Sequence, residues 1–352
     1  MSLLAIMISA VSLVSAGAAN HEGLTDRESI QWTENVARPH VGTVTYGTII
    51  NHCKSPGLIA LAFDDGPWVF TNQLLDLLDQ LGVQATFFVT GYNLGKGRID
   101  DCKRPWPSIM YRMYDSGQQI ASHTWTHQNL DRVNHKTQET EIIYNEMAFR
   151  TLFGWFPSYV RPPYLECTAK SGCQDLLGNL GYHIITSNVD TKDYLNDSPS
   201  QIQKSKDIFA ENISKESSKN SYIVLAHDTH NQTATNLTAF MVQVAKDRGY
   251  KLVTVGECLG DPKENWYRSV RNGRYSCKST GGSVIADSSM PAKLVTTIAT
   301  APTSTTGMDP TSTQWGPSAQ TKAASPGVEL ASACLRYICL GVIVFVLGMR
   351  VL

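Results

Sequence analysis

Leu58-Ile59-Ala60-Leu61-Ala62-Phe63-Asp64-Asp65-Gly66-Pro67 runs six apolar residues directly into two carboxylates and a turn. A short continuous apolar run of this kind reads as a strand buried in a parallel sheet. Asp-Gly-Pro is good turn chemistry, so the acids have an ordinary reading as part of a loop. Two adjacent carboxylates at the end of a buried strand are nevertheless costly to leave unpaired. They make sense if one binds a metal and the other handles a proton.

Outward from this stretch, apolar runs alternate with periodic ones. Strand candidates follow at Gln84–Val89, Gln119–Ser122, Ser158–Arg161, Tyr182–Val189, Ser221–Ala226 and Tyr250–Thr254. Helix-like segments between them include Thr71–Leu81, Thr137–Leu152, Pro199–Glu216 and Thr235–Arg248. The alternation specifies an α/β protein with a parallel sheet covered by helices. A distorted TIM-like (β/α)7 barrel, one unit short, fits better than an open sheet, although both carry the same alternation.

Polar groups at the C-terminal ends of barrel strands converge on one mouth. Two further clusters occupy such positions. Ser122-His123-Thr124-Trp125-Thr126-His127 sets two histidines at i and i+4, a spacing that on a helix shares one face and chelates one ion. With Asp65 they make a His, His, carboxylate set, a common open catalytic metal site. Ala226-His227-Asp228 places a histidine at a strand end, where it can titrate near neutral pH and donate a proton. Taken singly, each histidine is more often structural than catalytic.

The rest of the chain sets its surroundings. It has 352 residues, 42% of them hydrophobic, and a formal net charge of -1, which argues against nucleic acid as a partner. Residues 1–19 read as a signal peptide, with an apolar run from Leu3 to Val14 before small residues. Residues 20–43 read as an extension, 44–277 as the catalytic domain and 278–326 as a disordered Ser/Thr-rich stalk. Residues 327–352 read as a GPI-anchor signal, since the apolar run from Tyr337 to Met349 is shorter than the roughly 20 residues a span prefers. The expected location is the cell surface, anchored to the plasma membrane and extending to the cell wall, and the expected state is a monomer.

Of the 8 cysteines, Cys334 and Cys339 fall in the removable tail. The other six suggest disulfides in a secreted chain. Cys167 with Cys173 is the best local pair. Cys53 with Cys258 ties the start of the domain to its end, and Cys102 with Cys277 is left by elimination. A zinc cluster is disfavoured by the absence of paired Cys-x-x-Cys units. Asn196, Asn212, Asn231 and Asn236 stand in Asn-x-Ser/Thr triplets and are candidate N-glycan sites, Asn196 weakened by Pro199.

Five motifs in order resemble the polysaccharide deacetylase family of carbohydrate esterases, and within it the fungal-type chitin deacetylases: Phe63–Pro67, His123 with His127, Arg161-Pro162-Pro163-Tyr164, Asp190–Tyr194 and Leu225-Ala226-His227. The resemblance covers roughly Val44 to Arg268. It implies that Asp64 is the general base and that Asp65, His123 and His127 hold a divalent metal, usually zinc, with cobalt as the alternative. The choice between Asp64 and Asp65 rests on the resemblance, because spacing leaves it open. Arg161 is implied to orient the base, with Asp193 positioning Arg161. The Tyr164 N–H would donate to an oxyanion, His227 would act as general acid, and Leu225 would shape an acetyl pocket. Tyr194 stands where tryptophan is commoner, which implies altered sugar stacking. Trp125 and Trp68 flank the motifs and either pack on sugar rings or in the core.

The implied reaction is removal of N-acetyl groups from the N-acetylglucosamine units of chitin, giving chitosan and acetate. The alternatives are an O-acetyl esterase on xylan, using the same site, and a catalytically silent glycan-binding wall protein. The intact set of Asp64, Asp65, His123, His127, Arg161 and His227 argues against silence.

Overall fold

The computed structural model describes residues 33–270. The expected signal peptide, stalk, anchor signal, Cys277, Cys334 and Cys339 lie outside the described residues. In chain order the elements are β1 (Ile49–Ile50), β2 (Leu58–Asp64), α1 (Thr71–Leu81), β3 (Thr86–Val89), α2 (Trp106–Asp115), β4 (Gln119–Ser122) and α3 (His135–Phe153). There follow β5 (Trp155–Pro157), β6 (Tyr159–Val160), α4 (Cys173–Asn179), β7 (His183–Ile185), β8 (Val189–Asp190) and α5 (Ile202–Asn212). The set closes with β9 (Tyr222–His227), α6 (Thr238–Asp247), β10 (Lys251–Val253), α7 (Val255–Cys258) and β11 (Tyr267–Ser269).

Nine strands form one parallel sheet in the order β1-β7-β6-β4-β3-β2-β9-β8, with β10 pairing the start of β2. The sheet curls like a (β/α) barrel but its path is open, because β1 and β8 stand at opposite ends of it. β5 and β11 form a separate antiparallel pair that sequence pattern does not announce.

β2 explains why the site sits where it does. Its side chains alternate. Ile59, Leu61 and Phe63 join the large core between sheet and helices, with Leu74, Leu75 and Leu78 of α1. Ala60 and Ala62 face the inner core with Phe88, Ala121, Tyr159 and Ile223. Asp64 continues the inner register, so the strand period itself delivers a carboxylate to the mouth. α1 stops at Gly82, whose φ of 63° closes the helix in the left-handed conformation. α3 starts on Asn134, whose side chain accepts from the Thr137 N–H.

Residues 33–43, the described part of the expected extension, join this unit. Arg38 donates through both terminal nitrogens to Glu146 of α3, at 2.8 and 2.7 Å, and Tyr182 donates to the same carboxylate at 2.7 Å. The structure joins Cys53 to Cys258 and Cys167 to Cys173. Cys102 is also disulfide-bonded. No helix among the described residues is long and apolar enough to cross a membrane.

Candidate active site

Asp64 and His227 are register partners at the ends of β2 and β9. His123 follows the last residue of β4 and Arg161 follows β6. Asp190 ends β8 beside Leu225 of β9, so the sheet gathers all five motif clusters at one edge. The two histidines do not lie on a helix. They occupy a loop in which Thr124 and His127 take φ values of 68° and 63°, and these bends bring the imidazole centroids to 4.9 Å. The i, i+4 helical reading is thus corrected: local left-handed backbone does the work that a helical repeat was expected to do. A β-branched residue at positive φ is a strained choice. Asp65 (φ 77°), Tyr164 (φ 60°) and Lys192 (φ 55°) add to a concentration of such conformations around the site.

Asp65 Oδ1 lies 3.3 Å from His127 Nε2 and 3.7 Å from His123 Nε2. Ligands about 2.05 Å from a tetrahedral ion stand about 3.3 Å apart, so the three side chains have the spacing to share one cation. They form a compact cluster of potential ligands whose donor atoms all lie within 4.8 Å of one another. Asp65 Oδ1 is buried without a hydrogen-bond donor, an otherwise costly arrangement that a cation would relieve. His123 Nδ1 donates to the Arg161 carbonyl at 2.7 Å, which leaves Nε2 as the lone pair aimed at Asp65. Burial, reinforced by His127 and Arg161, pulls the His123 pKa down to about 3 and keeps the ring neutral.

Next to this cluster, Asp64 is fully enclosed. Arg161 donates to its Oδ1 at 2.8 Å, and the guanidinium is braced by the Thr186 carbonyl at 3.1 Å and lies 4.2 Å over the Phe88 ring. Burial raises the Asp64 pKa above its usual value against the opposing fields of Arg161 and His227.

The expectation that Asp193 positions Arg161 is corrected. Asp193 accepts from His227 Nδ1 at 2.7 Å and from the His227 N–H at 2.6 Å, while Thr233 donates to it at 2.7 Å and the Tyr194 N–H at 3.0 Å. Its oxygens are committed to the histidine end of the site. Burial alone would lower the His227 pKa, but the charge and hydrogen bond of Asp193, with Asp64 and Asp65 adding, raise it to about 10.

A cavity of about 680 Å³ opens beside His127 and Tyr164 and is bordered by Asn93, Asn129, Arg132 and Glu166. Its lining is polar, as a hydroxyl-rich ligand requires. The Tyr164 side chain is 62% exposed, with its ring 4.8 Å from that of His127. Its neighbours Leu165 and Glu166 donate their N–H groups back to Pro162 and Pro163.

The polysaccharide deacetylase family model matches residues 51–185. A chitin deacetylase of Colletotrichum lindemuthianum is 45% identical over 226 residues, which cover 64% of this chain and 89% of that protein. A Pestalotiopsis chitin deacetylase is 37% identical over 254 residues, 72% of this chain and 76% of the relative. The chain belongs to the polysaccharide deacetylase family. The solved structure of the Colletotrichum enzyme superposes with a TM-score of 0.61, covering 64% of this chain and 97% of that one. This deacetylase is accordingly a hydrolase, and its family depends on a divalent metal, for which Asp65, His123 and His127 are the suited group among the described residues.

The remaining expected residues fall around the centre. Leu225 is buried on the inner face of β9, two residues before His227. Tyr194 is 42% exposed and sets its ring edge-on to His227 at 5.3 Å. Trp125 lies in an aromatic layer, stacked on Tyr92 at 5.9 Å and edge-on to Tyr144 at 6.2 Å, and Trp68 stacks on Trp106. Asn212, Asn231 and Asn236 are exposed, but Asn196 is not. Its side-chain nitrogen is buried and donates to the Lys192 carbonyl and Ser205, so a glycan there is incompatible with the fold. Sequence reading missed Lys96, which is 2% exposed beneath the Asp65 turn, and gave no role to the buried Asp228. A lone lysine in a glycine-rich loop carries no signal that distinguishes it from a solvated one.

Proposed function

We propose that this protein removes N-acetyl groups from N-acetylglucosamine residues of chitin, releasing acetate and leaving chitosan. The observation that carries the reading is the pair of opposed proton-handling groups, Asp64 on Arg161 and His227 on Asp193, in register across β2 and β9 beside the three-ligand cluster. Two imidazoles and a carboxylate whose ligand atoms lie within 4.8 Å of one another suit zinc, with cobalt as the alternative. Bound there, the cation supplies polarisation of the amide carbonyl and lowers the pKa of its water from about 15.7 toward roughly 7.

Asp64 then takes the proton of the attacking water, with Arg161 holding the carboxylate in place. The Tyr164 N–H, presented by a left-handed turn, donates to the oxyanion, a contribution typically worth about 3 kcal/mol. His227, protonated through Asp193, gives its proton to the sugar nitrogen as the C–N bond breaks. Without that transfer the amine is too poor a leaving group and the intermediate reverts. Leu225 borders the acetyl methyl, and Tyr164 and Tyr194 offer rings to the sugar faces.

We further assign residues 1–19 to a cleaved leader, 44–277 to the catalytic domain, 278–326 to a glycosylated stalk and 327–352 to a GPI-anchor signal, placing the enzyme at the cell surface. Cys102 is paired with Cys277 in this reading. The disulfides among described residues and the similarity to chitin deacetylases support secretion.

The test is mass spectrometry of N-acetylglucosamine oligomers incubated with the intact protein, with and without a chelator. Metal-dependent loss of acetyl groups is expected, with acetate released more slowly from acetylxylan. Faster release from acetylxylan assigns the site to ester cleavage, and oligomer binding without any release reduces the protein to a glycan-binding one.

A further inference from the structure

Beneath the ligand-bearing turn lies a buried cation that the mechanism does not use. Lys96 Nζ donates to the Asp65 carbonyl at 2.9 Å, the Gly66 carbonyl at 2.7 Å and Thr90 Oγ1 at 2.9 Å. An ammonium has three donors, and all three are spent here. Thr90 Oγ1 in turn donates to the Asp65 carbonyl at 2.7 Å. The lysine is itself fixed: left-handed Gly95 and Gly97 flank it, its N–H donates to Asn93, and its carbonyl accepts from Trp106 Nε1 at 2.8 Å. On the other face of the turn, the buried Asp228 carboxylate lies against Gly66. A Cβ on Gly66 would come within 1.9 Å of Asp228 Oδ2, which Thr71 holds at 2.6 Å.

We propose that Lys96, assisted by Thr90, is a positioning residue that clamps the Asp65–Gly66 turn so that the Asp65 carboxylate meets His123 and His127. The proposal rests on the metal site assigned above. Asp65 sits at φ 77°, a conformation that most side chains avoid, and from it the carboxylate stands 3.3 Å from His127 Nε2 and 3.7 Å from His123 Nε2. A buried lysine is costly unless its protons are fully received. Here the acceptors are backbone atoms of the ligand turn itself, so satisfying the lysine and fixing the turn are the same event. The charge of Lys96 acts in the opposite sense, since a cation beneath a cation site repels what the site is to hold. Position and charge therefore predict opposite outcomes when the ammonium is removed.

The experiment measures zinc affinity of the intact protein by chelator competition, alongside kcat and KM, for Lys96→Met and for Thr90→Val. Lys96→Met keeps the stem and removes the donors, and zinc affinity is expected to fall about 10- to 100-fold, as for other groups that hold a metal ligand in place. Thr90→Val changes no charge and is expected to lose a few-fold in affinity, with KM for substrate nearly unchanged at saturating zinc. If Lys96→Met fails to fold, Thr90→Val alone decides. Unchanged affinity in the folded variants, or tighter zinc binding in Lys96→Met, overturns the clamp. A wild-type protein that binds zinc without releasing acetate overturns the deacetylase reading and leaves the clamp to be judged on affinity alone.

Discussion

His123 and His227 stand at the ends of neighbouring parts of one sheet, and each offers Nδ1 to an oxygen 2.7 Å away. The first oxygen is the Arg161 carbonyl, the second the Asp193 carboxylate. That difference separates their pKa values to about 3 and about 10. Burial disfavours the charged ring at both. Only His227 has a carboxylate partner whose charge outweighs it. His123 is therefore held neutral, with a lone pair for a cation, and His227 is held protonated, with a proton to give. In the mechanism proposed above, one residue type supplies both halves of a metal-assisted hydrolysis because the partner of its second nitrogen differs.

The largest break in this comparison is to empty the metal half. His123→Ala is expected to lose zinc in a chelator competition and to reduce acetate release to that of the chelated wild type. Asp64→Asn separates base from ligand: zinc affinity should persist while kcat falls about 10²- to 10⁴-fold, the range for removing a general base. Near-normal turnover in Asp64→Asn would mean that another group takes the proton.

The sequence made the strand half of this arrangement legible and concealed the loop half. β2 and α1 emerge from pattern because a strand buried on both faces is apolar throughout and Gly82 closes the helix. The motif residues were found because each follows a strand, where chain order and position in the mouth coincide. The partner of Asp193 was not legible. His227 ends β9, the strand paired with β8, whereas Arg161 follows β6 on the far side of β2, and neither that pairing nor the turn at Lys192, with its φ of 55°, that aims the carboxylate at the histidine is written in the motif. The bends at Thr124 and His127 were equally hidden, since nothing in a threonine or histidine announces a positive φ. Lys96 was hidden for a tertiary reason: its burial is made by the Asp65 turn and Trp106, thirty-one and ten residues away in sequence.

The acid half is tested through its pH dependence. A general acid must be protonated to act, so activity is lost as pH rises through its pKa. With His227 at about 10, the alkaline limb of kcat should lie well above neutrality. Asp193→Asn keeps the shape and removes the carboxylate charge nearest the ring, leaving burial opposed by the fields of Asp64 and Asp65 alone. The His227 pKa should then fall from about 10, and the alkaline limb should move to lower pH with it. The loss in kcat should be greatest on the alkaline side of the profile, about 10- to 100-fold, with zinc affinity intact. A pH–rate profile whose alkaline limb stays where it was would detach Asp193 from His227.

The smallest effect is expected at Tyr194, beside His227. Its ring edge faces His227, while its hydroxyl is tied to Lys192 at 2.9 Å and Asp190 at 3.3 Å. Those contacts are partly exposed, and exposed polar pairs are worth at most about 1 kcal/mol. Tyr194→Phe keeps the aromatic wall and frees Lys192, so KM for chitin oligomers should change no more than a few-fold while kcat and its alkaline limb stay put. Tyr194→Ala removes the wall itself and should raise KM more, because stacking on a sugar face needs the ring and not its hydroxyl. A fall in kcat with an altered alkaline limb in Tyr194→Phe would instead show that the hydroxyl network around Asp190 helps set the acid, and the boundary between sugar contact and proton delivery would shift by one residue.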